Sequence, residues 1–233
     1  MTDKKSLDFD FLGDHAVDAS VSVPVVAPPS DVQSEKIGFF AYFTKCYSNF
    51  NEFSAQYLIA NHPRYLNTAI WVYGMGIGSA YVWDSIGNET GWSDVWTTVI
   101  AGGILTGALG WYIAGAIYHW RVKWSKGQGN INTARNIYIF SSLPIAAAWI
   151  GMLLFNQIAY GGDYITIYSS NFSTVDTIFI LLILAAVIYS IYISYRVVRG
   201  VLKSEKVRAV VWFIVLPVLY YLAIIFWATT RSL

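Results

Sequence analysis

The chain has 233 residues, of which 56% are hydrophobic and only 12% are charged, and its formal net charge is +1. Soluble domains carry about 25% charged residues, and a water-soluble core of this size does not hide so much apolar surface. The composition therefore predicts an integral membrane protein. It argues against nucleic-acid binding, because no segment carries the dense basic patch that phosphate contacts require.

The first segment, residues 1–35, is acidic and contains Val-Pro and Pro-Pro pairs. Such a composition does not bury enough apolar surface to offset the entropy of ordering, so it predicts a disordered acidic tail on the cytoplasmic side. A short apolar clump in this tail has two interpretations: a docking motif for a partner, or incidental apolar residues. The clump consists of Leu7, Phe9, Phe11 and Leu12.

Residues 36–62 change character, because aromatic residues recur there at helical spacing. The aromatic positions are Phe40, Phe43, Tyr47, Phe50 and Tyr57. Such a stripe with a polar opposite face predicts an amphipathic helix lying in the headgroup region, or a helix that packs on the transmembrane bundle. Cys46, the single cysteine, has no disulfide partner in the chain; it is a buried bystander or an S-acylated thiol.

Residues 63–233 contain five apolar segments, each near the ~20 residues that a transmembrane helix requires. They span residues 66–84, 95–120, 137–158, 175–195 and 209–228. The loops after the second and the fourth segment are basic, whereas those after the first and the third contain no Lys or Arg. The positive-inside rule then places the N-terminus in the cytoplasm and the C-terminus outside. The predicted fold is an all-α bundle of five transmembrane helices preceded by an interfacial helix.

The basic loops also offer candidate interaction residues on the cytoplasmic side. The candidates are Arg121, Lys123, Lys126, Arg135, Arg196 and Arg199. The sequons at Asn88 and Asn171 fall in the loops assigned to the outside, where glycosylation would occur in a secretory pathway.

The second apolar segment places small residues on one helical face, namely Gly103, Gly107, Gly110 and Ala114. Small residues let helix backbones approach closely in a membrane, so this stripe predicts helix packing within the monomer or oligomerisation. Pro144 and Pro217 lie inside the third and fifth segments and predict kinks. Ser141 and Ser142 are candidate donors to the carbonyl that Pro144 leaves without a partner.

No pattern in the sequence points to catalysis or to a cofactor. There is no metal-ligand cluster, no glycine-rich phosphate loop after a strand and no nucleophile elbow. Ionisable residues are nearly absent from the predicted spans, which argues against an ion-coupled transporter. We therefore expect a protein that is not an enzyme and that binds no metal or cofactor.

Two stretches resemble the Yip1-domain family. The first is Trp124-Ser125-Lys126-Gly127-Gln128-Gly129-Asn130, followed by Ala134-Arg135, Tyr138 and Ser141-Ser142-Leu143-Pro144. The second runs from Tyr192 through Arg199-Gly200-Val201 to Lys206 and Ala209. The resemblance covers about residues 60–230 and implies five spans, a cytoplasmic N-terminus and no catalytic residues. The short acidic tail and the central loop look more like the prokaryotic branch than the eukaryotic one, whose members act in early secretory traffic with Rab GTPases.

The expected function is a non-enzymatic membrane scaffold or adaptor that binds other membrane proteins or itself. The alternatives are an accessory subunit of a larger membrane complex and a small-molecule or lipid transporter. Membrane lipids are expected partners, and nucleic acids are not. The expected location is the inner membrane if the protein is bacterial, and the endoplasmic reticulum or Golgi if it is eukaryotic.

Overall fold

The computed structural model describes residues 38–59, 63–85, 91–164 and 174–231, and these residues form helices and short turns with no strand among them. The described helices belong to one unit that begins at Phe39. The predicted acidic tail and both sequons lie outside the described residues. The helices are α1 (Phe39–Ser48), α2 (Phe50–Phe53, continued by Ser54–Leu58), α3 (Leu66–Ser85), α4 (Trp92–Trp124), α5 (Ile131–Tyr160), α6 (Thr174–Gly200) and α7 (Lys206–Val210, continued by Val211–Val215 and Leu216–Arg231).

Four helices in the described part of the chain are long and apolar enough to cross a membrane. They are α4, α5, α6 and the first eighteen residues of α7, and they correspond to four of the five predicted spans. Helix α3 corresponds to the remaining one and is 20 residues long. It is not among the helices that are apolar enough by hydropathy to cross a membrane, and glycine, tyrosine and tryptophan occupy many of its positions. The described part of the chain is therefore all-helical, with four helices that are candidates to span a membrane, and the fifth span stays a prediction.

Helices α1 and α2 pack on the bundle. Tyr42, Cys46 and Phe53 are at most 1% exposed, whereas Phe40, which belongs to the predicted aromatic stripe, is 84% exposed. Burial raises the pKa of the Cys46 thiol. Phe50 of the stripe is also buried, at 5% exposed. The buried face thus overlaps the predicted stripe only in part, and the arrangement agrees with the packing interpretation of this segment.

Helix α3 lies against α4 and α5 with almost no side chain between the backbones. A Cβ atom added at Gly74 would overlap the carbonyl oxygen of Gly103, and one added at Gly107 would overlap the carbonyl of Ile70. The hydroxyl of Thr106 donates to the carbonyl of Gly74 at 3.1 Å across this interface. Close approach of glycine-bearing faces is the expected way for membrane helices to gain van der Waals contact.

Tryptophan side chains hold α4 to α5 at one end of the bundle. The indole nitrogen of Trp92 donates to the carbonyl of Gly161, and that of Trp96 donates to Gln157 Oε1, both at 2.7 Å. Buried Asn156 donates to the Tyr164 hydroxyl at 2.8 Å. These contacts satisfy polar groups where the helices end, and the ends of membrane helices are where tryptophan is enriched.

Candidate functional site

The predicted small-residue stripe of α4 divides between two faces. Gly103, Gly107 and Gly110 face α3, where a Cβ at Gly103 would lie 2.9 Å from the backbone nitrogen of Met75 and one at Gly110 would overlap the ring of Tyr73. Ala114 instead lines a cavity. The change coincides with a π-helical segment, Gly110–Ala114, whose wider turn rotates the following residues relative to an α-helix.

The two prolines leave backbone carbonyls without their helical donor, and distant side chains supply one in each case. Proline has no N–H, so in an α-helix Pro144 leaves the carbonyl of Phe140 unpaired. The hydroxyl of Tyr47 donates to that carbonyl at 3.0 Å. Ser141 donates instead to the carbonyl of Tyr138 at 3.1 Å, so the predicted role of the serine pair passes to Tyr47 in α1.

Pro217 follows a π-helical segment, Val211–Val215, in which bonds join residues five apart. The N–H of Leu216 donates to the carbonyl of Val211, so in the same register Pro217 leaves the carbonyl of Trp212 without a donor. Arg121 fills this gap, because its Nε donates to the Trp212 carbonyl at 2.9 Å and its Nη2 donates to the same oxygen.

Arg121 therefore does not lie in the loop where the sequence placed it. It lies inside α4, half-buried, with its guanidinium 4.6 Å from the ring centre of Phe213 and 5.7 Å from that of Tyr118. Stacking on aromatic rings suits the planar guanidinium. No carboxylate of the described residues forms an ion pair with it.

Of the other predicted basic candidates, three are exposed and two have side chains that already contact protein groups. Lys123, Lys126 and Arg196 are exposed. Arg135 is half-buried and lies over the ring of Trp111 at 4.8 Å. Arg199 is half-buried and donates to the carbonyl of Ser204 at 2.9 Å, so it orders a loop.

The two basic loops are joined to each other at one end of the bundle. The N–H of Gln128 donates to the carbonyl of Leu202 at 2.6 Å, and the N–H of Glu205 donates to the carbonyl of Ser125 at 2.9 Å. The buried hydroxyl of Ser125 also donates to that of Ser204 at 2.9 Å. The loops therefore share one end of the bundle, as the charge-based topology requires, while the orientation of the chain stays a prediction.

This end carries a group of exposed cations that we name the basic platform. Its members are Lys123, Lys126, Lys203, Lys206 and Arg208. Glu205, the one acidic residue of the two loops, lies 3.4 Å from Lys126 and 3.1 Å from Arg208. The platform thus has an excess of positive charge on a hydrogen-bonded backbone.

A cavity of about 710 Å³ opens beneath the platform between α4, α5, α6 and α7. Arg121 and Tyr118 line it from α4, Ser190 and Ser194 from α6, and Leu216 and its neighbours from α7. The sequence did not predict it, because isolated serines and tyrosines in apolar helices look like ordinary packing residues. The feature that indicates the cavity is the contact of Arg121 with the proline-containing helix α7, and this contact is seen only in the folded structure.

These features define a multi-pass α-helical membrane protein with a structured basic end. The family model of the Yip1 domain matches residues 52–228. The match covers most of the chain, so the protein belongs to the Yip1-domain family. Comparisons with curated proteins and with solved structures found no match.

Proposed function

We propose that this Yip1-domain protein is a non-enzymatic membrane adaptor that binds an acidic segment of a partner protein on the basic platform. The observation that carries the proposal is the set of hydrogen bonds that joins the two basic loops. The main ones are the backbone bonds from Gln128 to Leu202 and from Glu205 to Ser125. The positive-inside rule explains why cations gather at this end. It does not require the loops that carry them to be fixed relative to each other.

A fixed platform favours binding for a physical reason. Ordering loops on association costs free energy, and a surface that is already ordered avoids that cost. Cations at fixed positions also select partners by charge complementarity and accelerate encounter. Gly103, Gly107 and Gly110 of the small-residue stripe already contact α3. This supports an adaptor that binds through its polar end rather than through the stripe.

The test is co-purification from gently solubilised native membranes, read by native mass spectrometry with and without crosslinking in the intact membrane. The variant Lys123→Gln/Lys126→Gln/Lys203→Gln removes three platform charges, and we expect the partner signal to fall at least tenfold. Arg64→Gln removes one exposed charge outside the platform and is the control for effects unrelated to the platform. Recovery of a lone monomer from crosslinked membranes, or equal partner signals from the triple variant and the control, would contradict the proposal.

The cavity favours a second candidate, movement of a lipid or small molecule across the membrane. It places Ser141, Ser190 and Tyr221 inside the bundle, where a transporter needs polar groups. A flux assay in liposomes separates this candidate from the adaptor. Flux that is lost when Ser190→Leu fills the cavity supports transport, and no flux for lipids and small solutes alike contradicts it.

A further inference from the structure

The cavity between α4 and α7 combines a cation, unused hydroxyl groups and an apolar wall. Its volume of about 710 Å³ lies in the range of sites that hold small ligands. The first half of α7 packs against α4 and α6, and Leu216–Arg231 makes sparse contact with the rest of the described bundle. The cavity begins where these two halves of α7 meet.

Arg121 supplies the charge at this site. A guanidinium has five N–H donors, and two of its nitrogens already donate to the carbonyl of Trp212. The titratable groups that face it are tyrosines, namely Tyr118, Tyr138 and Tyr221. A cation within a membrane bundle is costly unless it is paired, and a carbonyl with ring faces supplies no negative charge. Three donors remain, two on Nη1 and one on Nη2, and they are suited to an anion.

Hydroxyl groups on the opposite wall offer further hydrogen bonds. Ser190 is 6% exposed, lines the cavity, and its hydroxyl has no hydrogen-bond partner in the described structure. A buried polar group without a partner costs free energy that a ligand can recover. Ser194 and Tyr118 already bond to each other at 2.8 Å, so Ser190 is the group that an incoming ligand would satisfy.

The remaining wall is apolar and open to the side of the bundle. Ile117 is 48% exposed, Leu216 43% and Leu219 58%, although all three line the cavity. On a membrane-spanning bundle, side chains exposed at this depth face lipid chains rather than water. Arg121 lies three residues before the end of α4 at Trp124, near the basic end. The charged part of the cavity therefore lies toward the headgroup layer, and the apolar part extends toward the membrane centre.

We infer that this cavity binds one phospholipid with a negatively charged phosphate headgroup. The phosphate oxygens accept from Arg121 and Ser190, and an acyl chain lies along Ile117, Leu216 and Leu219. Arginine binds phosphate through two parallel N–H bonds, which gives the site its preference for an anion. The inference needs neither the adaptor role nor transport.

The experiment uses the full chain in nanodiscs and native mass spectrometry after mild delipidation. Phosphatidic acid and phosphatidylcholine with identical chains are offered in competition, and inorganic phosphate is added in a separate arm. We expect one phosphatidic acid per chain to be retained at least tenfold over phosphatidylcholine. Inorganic phosphate should not displace it, because phosphate lacks the apolar contacts. Displacement by phosphate at millimolar concentration would overturn the assignment to a lipid.

Two variants and a matched control locate the binding. Arg121→Met removes the cation, and we expect retention of phosphatidic acid to fall about tenfold. Ser190→Leu fills the cavity without removing a charge or an existing hydrogen bond, so it tests the site even if Arg121→Met fails to fold. Arg196→Gln removes an exposed arginine of α6 outside the cavity and should retain the lipid as the wild type does. Equal retention by Ser190→Leu and the wild type, or equal loss in Arg196→Gln, would overturn the inference.

Discussion

The two halves of α4 pack against their surroundings in different ways. The first half carries Gly103 and Gly107 against α3 so closely that a methyl group would overlap the neighbouring backbone. The second half packs on α5 at Gly115, and its Tyr118 and Arg121 line a cavity. The π-helical segment Gly110–Ala114 separates them.

The difference shows how one helix combines a closely packed half with a half that lines a cavity. A π-helical turn contains one extra residue, which rotates the downstream face by about 100° relative to a continuous α-helix. Without that rotation, the small-residue stripe would continue from Gly110 to Ala114 on the face that meets α3. Four predictions test this contrast, in order of decreasing effect.

The largest effect is expected in the close interface. Gly74→Ala places a Cβ against the carbonyl of Gly103, and no rotamer relieves a clash with backbone, so α3 and α4 must separate. We expect a loss of about 3 kcal/mol in unfolding free energy, measured by thermal unfolding in detergent. The matched control is Gly102→Ala, whose Cβ meets nothing within 4 Å. Equal melting temperatures for the two variants would show that the interface is looser than described.

In the second half of α4, which lines the cavity, the largest loss of unfolding free energy is expected from substitution of Arg121. Arg121→Met leaves the carbonyl of Trp212 without a donor, and an unpaired buried acceptor costs about 1–3 kcal/mol. In a Pro217→Ala background, the restored N–H bonds this carbonyl, so Arg121→Met should cost less there. A double-mutant cycle by chemical denaturation measures the coupling. Additive effects would show that the arginine does not substitute for the missing N–H.

The proline of α5 provides the equivalent test outside the cavity. Tyr47→Phe removes the donor to the carbonyl of Phe140 and should cost about 1 kcal/mol. The cost should largely vanish in a Pro144→Ala background, because the restored N–H occupies the same carbonyl. The measurement is again a double-mutant cycle. A cost that is unchanged in the second background would point to ring packing of Tyr47 instead.

The smallest effect is expected on the basic platform. Glu205→Gln removes ion pairs to Lys126 and Arg208 whose side chains are 45–63% exposed, and exposed pairs contribute at most about 1 kcal/mol. Unfolding at low and high salt should differ little between this variant and the wild type. Ser204→Ala, which removes a buried hydroxyl from the joint between the loops, should cost more. The reverse order would mean that charge, not hydrogen bonding, joins the loops.

The sequence predicted the helices better than their ends or faces. Apolar runs indicated residues 95–120 and 137–158, but the helices continue through polar residues such as Lys123 and Thr133. Hydropathy marks the part of a helix that lies in lipid, and not where its hydrogen bonds stop. It also assigned Arg121 to a loop, because a charge usually ends an apolar segment.

Which residues share a helix face depended on the π-helical segments, and no residue pattern in the sequence predicted where these segments occur. Spacing placed Ala114 with Gly110, and the extra residue in that turn separates them. Likewise, Pro217 predicted a kink, but its partner Arg121 lies 96 positions earlier in the chain. Contacts at such separation follow from the fold and not from local sequence.

Because Cys46 is buried, the reaction of its thiol with a labelling reagent reports when α1 separates from the bundle. The chain contains one cysteine, and that side chain is 0% exposed. Its thiol should react with maleimide only when α1 detaches from the bundle, so the labelling rate measures that event without any engineered probe. A second cysteine introduced at an exposed site such as Lys123 would react at once. Fluorophores could then be attached there while the native thiol remains unlabelled.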